Sequence, residues 1–201
     1  LSREDSQRLT RQRLLDAARE IFARHGYVGA SVDQIADQAG YSKGAVYSNF
    51  AGKEALFLEL LRSRMSEELQ ELQAMLDRGQ SAPEMLRALK ERYSNLDRQE
   101  VWCLLSAEFQ LQAGRHAEFA EPFAALYRDQ RKAIARLLTQ LAEKAGVAPP
   151  PNALEVATSL MALTHGIALQ RAADPDSVPA ATAGRAMETL IGAILEPRRG
   201  K

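Results

Sequence analysis

An all-α fold of about nine helices is predicted by three features of the sequence. Apolar residues recur at three- and four-residue spacing, proline and glycine cluster between the segments that carry this pattern, and strand-like alternation is missing from those segments. The clusters fall at residues 26–29, 40, 52, 79–83, 114, 146–151 and 174–179.

The first helix is expected over residues 10–25, with Leu14, Leu15, Ala18, Ile21 and Phe22 on one face and Gly26 where left-handed backbone ends a helix. Ser31 caps a short second helix that stops at Gly40, with Gln34 returning the capping bond; Ser42 caps a short third one. Ala30 with Ile35, and Tyr41 with Val46, occupy the hydrophobic-staple positions. A fourth, long helix starts near Lys53 and carries Leu56, Phe57, Leu60, Leu61, Met65, Leu69, Leu72 and Leu76 to a stop at Gly79. Ser81 and Glu84 open a fifth, which presents Leu86, Leu89 and Tyr93. The sixth is expected over residues 99–113, and the seventh from Pro122 to Gly146. The eighth and ninth cover residues 152–173 and 180–195, after a stiff connector of three prolines at 149–151.

Composition narrows the class. The 201 residues are 46% hydrophobic and 26% charged, with no apolar run of the ~20 residues that a membrane span needs. Residues 1–10 are polar and charged, unlike a signal peptide, and the single cysteine, Cys103, forms no intrachain disulfide; both fit a cytoplasmic location. The net charge is zero, but residues 1–53 hold eight Lys and Arg against six Asp and Glu, and the remainder eighteen against twenty. That asymmetry permits nucleic-acid binding without demonstrating it.

The second and third helices form the motif that carries chemistry. Two short helices joined by a glycine turn, with Ala36 small where they cross and Ile35, Ala39, Tyr41 and Val46 as a compact core, make a helix-turn-helix. Such a pair places its second helix in the major groove of duplex DNA. Lys43, Tyr47 and Lys53 suit phosphates, Ser48 and Asn49 suit base edges or sugar, and Gly44 and Ala45 permit close approach and a thymine-methyl contact. The capping residues Ser31 and Ser42 complete the expected DNA-binding set.

At this point the sequence resembles a family. Ile21-Phe22, Gly26-Tyr27, the run Ser31-Val32-Asp33-Gln34-Ile35-Ala36, the run from Ala39 to Tyr47, and Phe50-Ala51-Gly52-Lys53-Glu54-Ala55-Leu56 strongly resemble the TetR family of regulators. The resemblance implies a DNA-binding domain over residues 1–53 and a ligand-binding and dimerisation domain over 54–201. It also implies phosphate contacts by Tyr47 and Lys53. Ser48 and Asn49 depart from the His and Tyr that the family often carries there, which leaves the operator sequence open.

Helix eight is apolar on two faces, one with Leu154, Ala157, Met161, His165, Ala168 and Ala172, the other with Val156, Leu160, Leu163 and Ile167. Helix nine has one stripe. A homodimer interface is therefore expected from Leu160, Leu163, Ile167, Met187, Leu190, Ile191 and Ile194. Tyr93, Trp102, Phe109, Phe123, Tyr127 and Met161 are expected to line a pocket for a mainly apolar, flat effector, with Gln110 and His165 fixing its orientation.

No cofactor is implied, and His25, His116 and His165 show no metal-ligand spacing. Cys103 beside Trp102 reads as a small core hydrophobe rather than a thiol sensor. The expected function is a ligand-responsive repressor that binds a palindromic operator as a homodimer. Two alternatives are a DNA-binding protein of the same fold without an inducer, acting as an architectural or cell-division factor, and a helical enzyme built on His165. Ligand-dependent operator release separates the first; specific DNA binding without turnover removes the second.

Overall fold

The computed structural model describes residues 2–79, 81–94, 97–115 and 117–196. His116 and the basic tail residues Arg198, Arg199 and Lys201 lie outside them. Among the described residues there are nine helices and no strands: α1 (Arg3–Gly29), α2 (Val32–Ala39), α3 (Lys43–Asn49), α4 (Lys53–Asp77), α5 (Ala82–Ser94), α6 (Asp97–Ala113), α7 (Ala117–Lys144), α8 (Ala153–Ala173) and α9 (Ala181–Leu195).

Three boundaries differ from expectation. α1 begins seven residues earlier because Ser2 and Asp5 form a reciprocal cap, the Ser2 hydroxyl accepting from Asp5 N–H while the Asp5 carboxylate accepts from Ser2 N–H. Its other end passes Gly26, which breaks the helix at φ 71° and ψ 175° before one more helical stretch. α7 begins at Ala117 and not at Pro122. Pro122 is thus the sixth residue of α7, past the first turn, where it lacks the N–H that the residue 118 carbonyl would accept and its ring crowds that carbonyl.

The chain forms two compact units. The first contains residues 1–64 and 105–124, and the second residues 65–104 and 125–201. These units do not coincide with the expected division at residue 53. The first half of α4 and the second half of α6 belong with the N-terminal helices, because Leu56, Phe57, Leu60 and Phe109 complete a core that α1 and two short helices cannot close alone. Leu14, Ala18, Phe22, Ile35, Val46, Leu56 and Phe57 are all fully buried in that unit. Its centre is a ring cluster: Phe57 stacks on Phe109 at 4.7 Å, and Tyr27 meets both edge-on at 5.1 and 4.8 Å.

The second unit has its own core of Leu76, Met85, Leu89, Tyr93, Leu138, Leu141, Leu160, Ile167, Met187 and Ile191. α9 lies closely against α5, where Gly184 faces the Lys90 carbonyl, and Lys90 pairs with Glu188 at 2.8 Å.

Candidate functional site

α2 and α3 are built by local capping. The Ser31 hydroxyl accepts from Gln34 N–H at 3.2 Å, and the Gln34 side chain accepts from Ser31 N–H at 2.9 Å. α2 ends at Gly40 in left-handed backbone, φ 73°, so that Gly40 and Tyr41 N–H groups reach the Asp37 and Ala36 carbonyls. Ser42 then caps α3 through Ala45 N–H at 3.2 Å. Ile35, Ala36 and Val46 are buried beneath. α3 is thereby left with an outer face of Lys43, Gly44, Tyr47 and Ser48, all exposed, and Tyr47 is 53% exposed.

An exposed tyrosine and lysine on a seven-residue helix are poorly explained by packing. Lys43 is held by Asp33 of α2 at 2.9 Å, and that carboxylate raises the pKa of its ammonium. The pair is exposed, with 54 and 62% of the two side chains open to solvent, where such an ion pair contributes little. Ser48 donates to the Ala45 carbonyl at 2.9 Å and accepts from the Asn49 amide at 3.3 Å.

Three of the expected contacts sit otherwise. Ala45 is half-buried. Asn49 is also half-buried: its amide donates to the Ala45 carbonyl at 2.9 Å, and its Oδ1 is buried without a partner. Lys53 is turned inward, donating to the Tyr27 carbonyl at 3.0 Å and the Ala30 carbonyl at 2.9 Å with its ammonium 4.6 Å from the Tyr27 ring centre. Burial lowers its pKa. Lys53 therefore props the segment before α2 instead of standing free.

Sequence reasoning missed the residues that aim α3. Arg11 of α1 donates to the Asn49 carbonyl at the C-terminus of α3, pairs with Glu59 of α4, and lies 4.1 Å over the Phe50 ring. A cation at a helix C-terminus is favourable, and here it joins three helices. Its only sequence signal was a basic residue in α1, which many surface helices carry.

The expected effector residues divide between the units. Phe109 and Phe123 belong to the ring cluster of the first unit, 5.3 Å apart, and Gln110 is exposed beside them in sequence. In the second unit, Tyr93 is buried and donates to Glu68 at 3.2 Å, with burial the main cause of its raised pKa. Trp102, Tyr127, Met161 and His165 are half-buried there.

His165 Nδ1 lies 2.8 Å from the Met161 carbonyl, which accepts only, so Nδ1 donates to it, and Nε2 lies 3.3 Å from the Tyr127 hydroxyl. A groove of about 460 Å³ in the same unit is lined by Lys132, Ala135, Arg136, Thr139, Gln140, Ala153 and Leu154, none of which belongs to the expected set.

The expected dimer residues are mostly covered within the single chain. Leu160, Ile167, Met187 and Ile191 are 3–8% exposed in the single chain, because α8 and α9 bury those faces in the core of their own unit. Leu163 and Ile194 are partly buried against that core. The apolar side chains left uncovered are Leu154 and Leu169 on α8 and Leu190 on α9, at 52, 44 and 42% exposure. Cys103 is buried, and among the described residues no cluster of His, Cys, Asp and Glu is placed to hold a metal ion. No helix among them is long and apolar enough to cross a membrane.

Comparison with known proteins agrees with the helix-turn-helix geometry. Residues 14–60 match the family of bacterial regulatory proteins of the tetR type, and residues 82–196 match the C-terminal domain of BetI-type transcriptional repressors. The chain is 31% identical over 172 residues to the nicotine-responsive transcriptional repressor HdnoR of Paenarthrobacter nicotinovorans, covering 82% of this chain and 84% of that one. It is 45% identical over 65 residues to the transcriptional repressor AcnR of Corynebacterium efficiens, a match that spans only 35% of that protein's length and 31% of this chain. A transcriptional regulator from Rhodococcus sp. Rha1 superposes with a TM-score of 0.67 at 29% identity, covering 92% of this chain and 95% of that structure. The long match to HdnoR and the two family matches together place the chain in the TetR family of bacterial transcriptional regulators.

Proposed function

We propose that this protein is a ligand-responsive repressor that binds a two-fold operator as a homodimer, inserts α3 in successive major grooves about 34 Å apart, and is released by a small molecule. The observation that carries this reading is the capped α2–α3 pair, whose second helix keeps Lys43, Gly44, Tyr47 and Ser48 on an uncovered face. Ser31 and Ser42 serve as caps that also stand at the edge of that face, while Asn49 and Lys53 support it from within. The response to a small molecule is supported by HdnoR, a nicotine-responsive repressor. A ligand in the second unit releases DNA only by binding more tightly to a conformation that fits the operator poorly. A repressor acting on bacterial DNA would work in the cytoplasm.

Titration of the protein against duplexes selected from a random pool, at several salt concentrations, tests the reading. Specific binding is expected, and Lys43→Ala is expected to weaken specific and random duplexes alike while flattening the salt dependence by about 0.9 units, the loss of one phosphate contact. An unchanged slope removes Lys43 from the interface; no duplex selected at all overturns the function.

The dimer is built from the uncovered apolar side chains Leu154, Leu169 and Leu190, with Leu163 and Ile194 at their margin. Leu190→Arg is expected to give a folded monomer by sedimentation and a normal helical circular dichroism spectrum, since the exposed site solvates the charge once the partner leaves. Ile191→Arg, one residue on and 5% exposed, is expected to unfold the second unit instead. A fully dimeric Leu190→Arg variant places the interface elsewhere.

A further inference from the structure

The break in α1 is held by a side chain that the helix-turn-helix itself does not supply. At Gly26 the backbone leaves the helical region, so the next N–H groups begin a new helical stretch without carbonyl partners in the preceding turn. Glu108 of α6 fills that role: its Oε2 accepts from Tyr27 N–H at 2.7 Å and from Val28 N–H at 3.2 Å. A carboxylate at a helix N-terminus is favoured by charge and by hydrogen bonding, and this one is delivered from more than eighty positions away in sequence. Its approach requires glycine, because a Cβ at residue 26 would stand 2.9 Å from both carboxylate oxygens on a backbone already at positive φ.

The same short segment is gripped on its other polar groups. Lys53 of α4 takes the Tyr27 and Ala30 carbonyls, and the Tyr27 hydroxyl donates to Glu54 at 3.0 Å. Residue 31, the cap of α2, follows directly. The direction in which the chain leaves α1 for the helix-turn-helix is thus set by α6 through N–H groups and by α4 through carbonyls. Glu108 precedes Phe109, which is 1% exposed in the ring cluster, so the carboxylate is fixed to the core of the first unit by its neighbour. α6 is one continuous helix, residues 97–104 of which belong to the second unit.

We propose that Glu108 is a positioning residue for DNA binding, whose carboxylate latches the Gly26–Val28 break and makes the setting of α2 and α3 depend on the position of α6. This rests on the DNA-binding and ligand-release reading above. An effector that displaces α6 would then act on the operator-binding helices through the loss of two hydrogen bonds, with no contact of its own to the first unit.

The test compares Glu108→Ala, Glu108→Gln and Glu108→Asp in the full-length protein, using the duplex selected by wild type and backbone amide spectra of the free protein. The alanine variant is expected to lose about tenfold in affinity for that duplex at a temperature where it is fully folded. Its Tyr27 and Val28 amides should exchange faster, and resonances of residues 31–49 should shift. Glutamine, which keeps an acceptor of the same reach, should stay close to wild type, whereas aspartate, which keeps the charge but is one methylene shorter, should resemble alanine. A structural role alone lowers the melting temperature and leaves affinity and the residue 31–49 resonances unchanged, and that result overturns the proposal. If the alanine variant does not fold, the glutamine and aspartate pair decides, and equal affinities for the two overturn it. Failure of wild type to bind any duplex overturns the proposed function, and the amide spectra still decide whether the latch sets α2 and α3.

Discussion

Gly184→Ala is expected to destabilise the protein by about 2–3 kcal/mol, although alanine is the better helix former by about 1 kcal/mol. Gly184 lies inside α9 and is buried against α5. A Cβ there would stand 2.3 Å from the Lys90 carbonyl oxygen, 2.1 Å from Ser94 Oγ and 3.0 Å from Ser94 N. The serine side chain can rotate away, but the carbonyl and amide belong to the α5 backbone and move only if the two helices separate. Separation opens the core around Leu89, Tyr93, Ala183 and Met187, so close packing turns a one-carbon addition into a loss along the whole contact. Thermal melts check it: a fall of about 5–10 °C is expected for a chain of this size. A rise in melting temperature would show that helix propensity outweighs the contact and that α5 and α9 are not so closely apposed.

Phe109→Ala is expected to cost more, about 3–5 kcal/mol, a large share of the 5–15 kcal/mol by which domains are stable. The ring is 1% exposed and touches Tyr27, Phe57 and Phe123 at centroid distances of 4.8, 4.7 and 5.3 Å. Its removal leaves a cavity bounded by three other rings that belong to three different helices, and these cannot collapse together without moving α1 or α4. Denaturant titration should show the first unit weakened, with operator binding lost in parallel, because that unit carries α2 and α3. Phe109→Leu, which keeps most of the volume, should cost less than half as much. An alanine variant within 1 kcal/mol of wild type would mean that α6 is not part of this core.

The two variants report on opposite errors of reading a helix in isolation. Gly184 looks like a defect in α9 until its neighbour is known. Phe109 was expected to line a pocket for an effector because it sits among aromatic residues at helical spacing, yet it is a central core residue of the DNA-binding unit. The same periodicity describes a cavity wall and a packed core, since both need an apolar face.

What the sequence determined by itself was everything governed by contacts a few residues apart: the all-α class, the number and order of the helices, the caps at Ser31 and Ser42, and the left-handed glycine at residue 40. Those devices bond within three or four positions, so the residues and their spacing suffice. The α1 start at Ser2 escaped only because its Ser-x-x-Asp cap precedes a polar stretch without an apolar stripe. The tertiary structure alone decided what covers each face. The stripes of α8 and α9 state that Leu160, Ile167, Met187 and Ile191 are buried, but not that the covering surface comes from the same chain, and it does. Asn49 and Lys53 have polar atoms suited equally to DNA and to carbonyls of their own fold, and in the fold they bond to the carbonyls of Ala45, Tyr27 and Ala30. Glu108 carried no signal at all in the sequence, because a carboxylate becomes a helix cap for Tyr27 and Val28 only when the fold brings a broken helix to it.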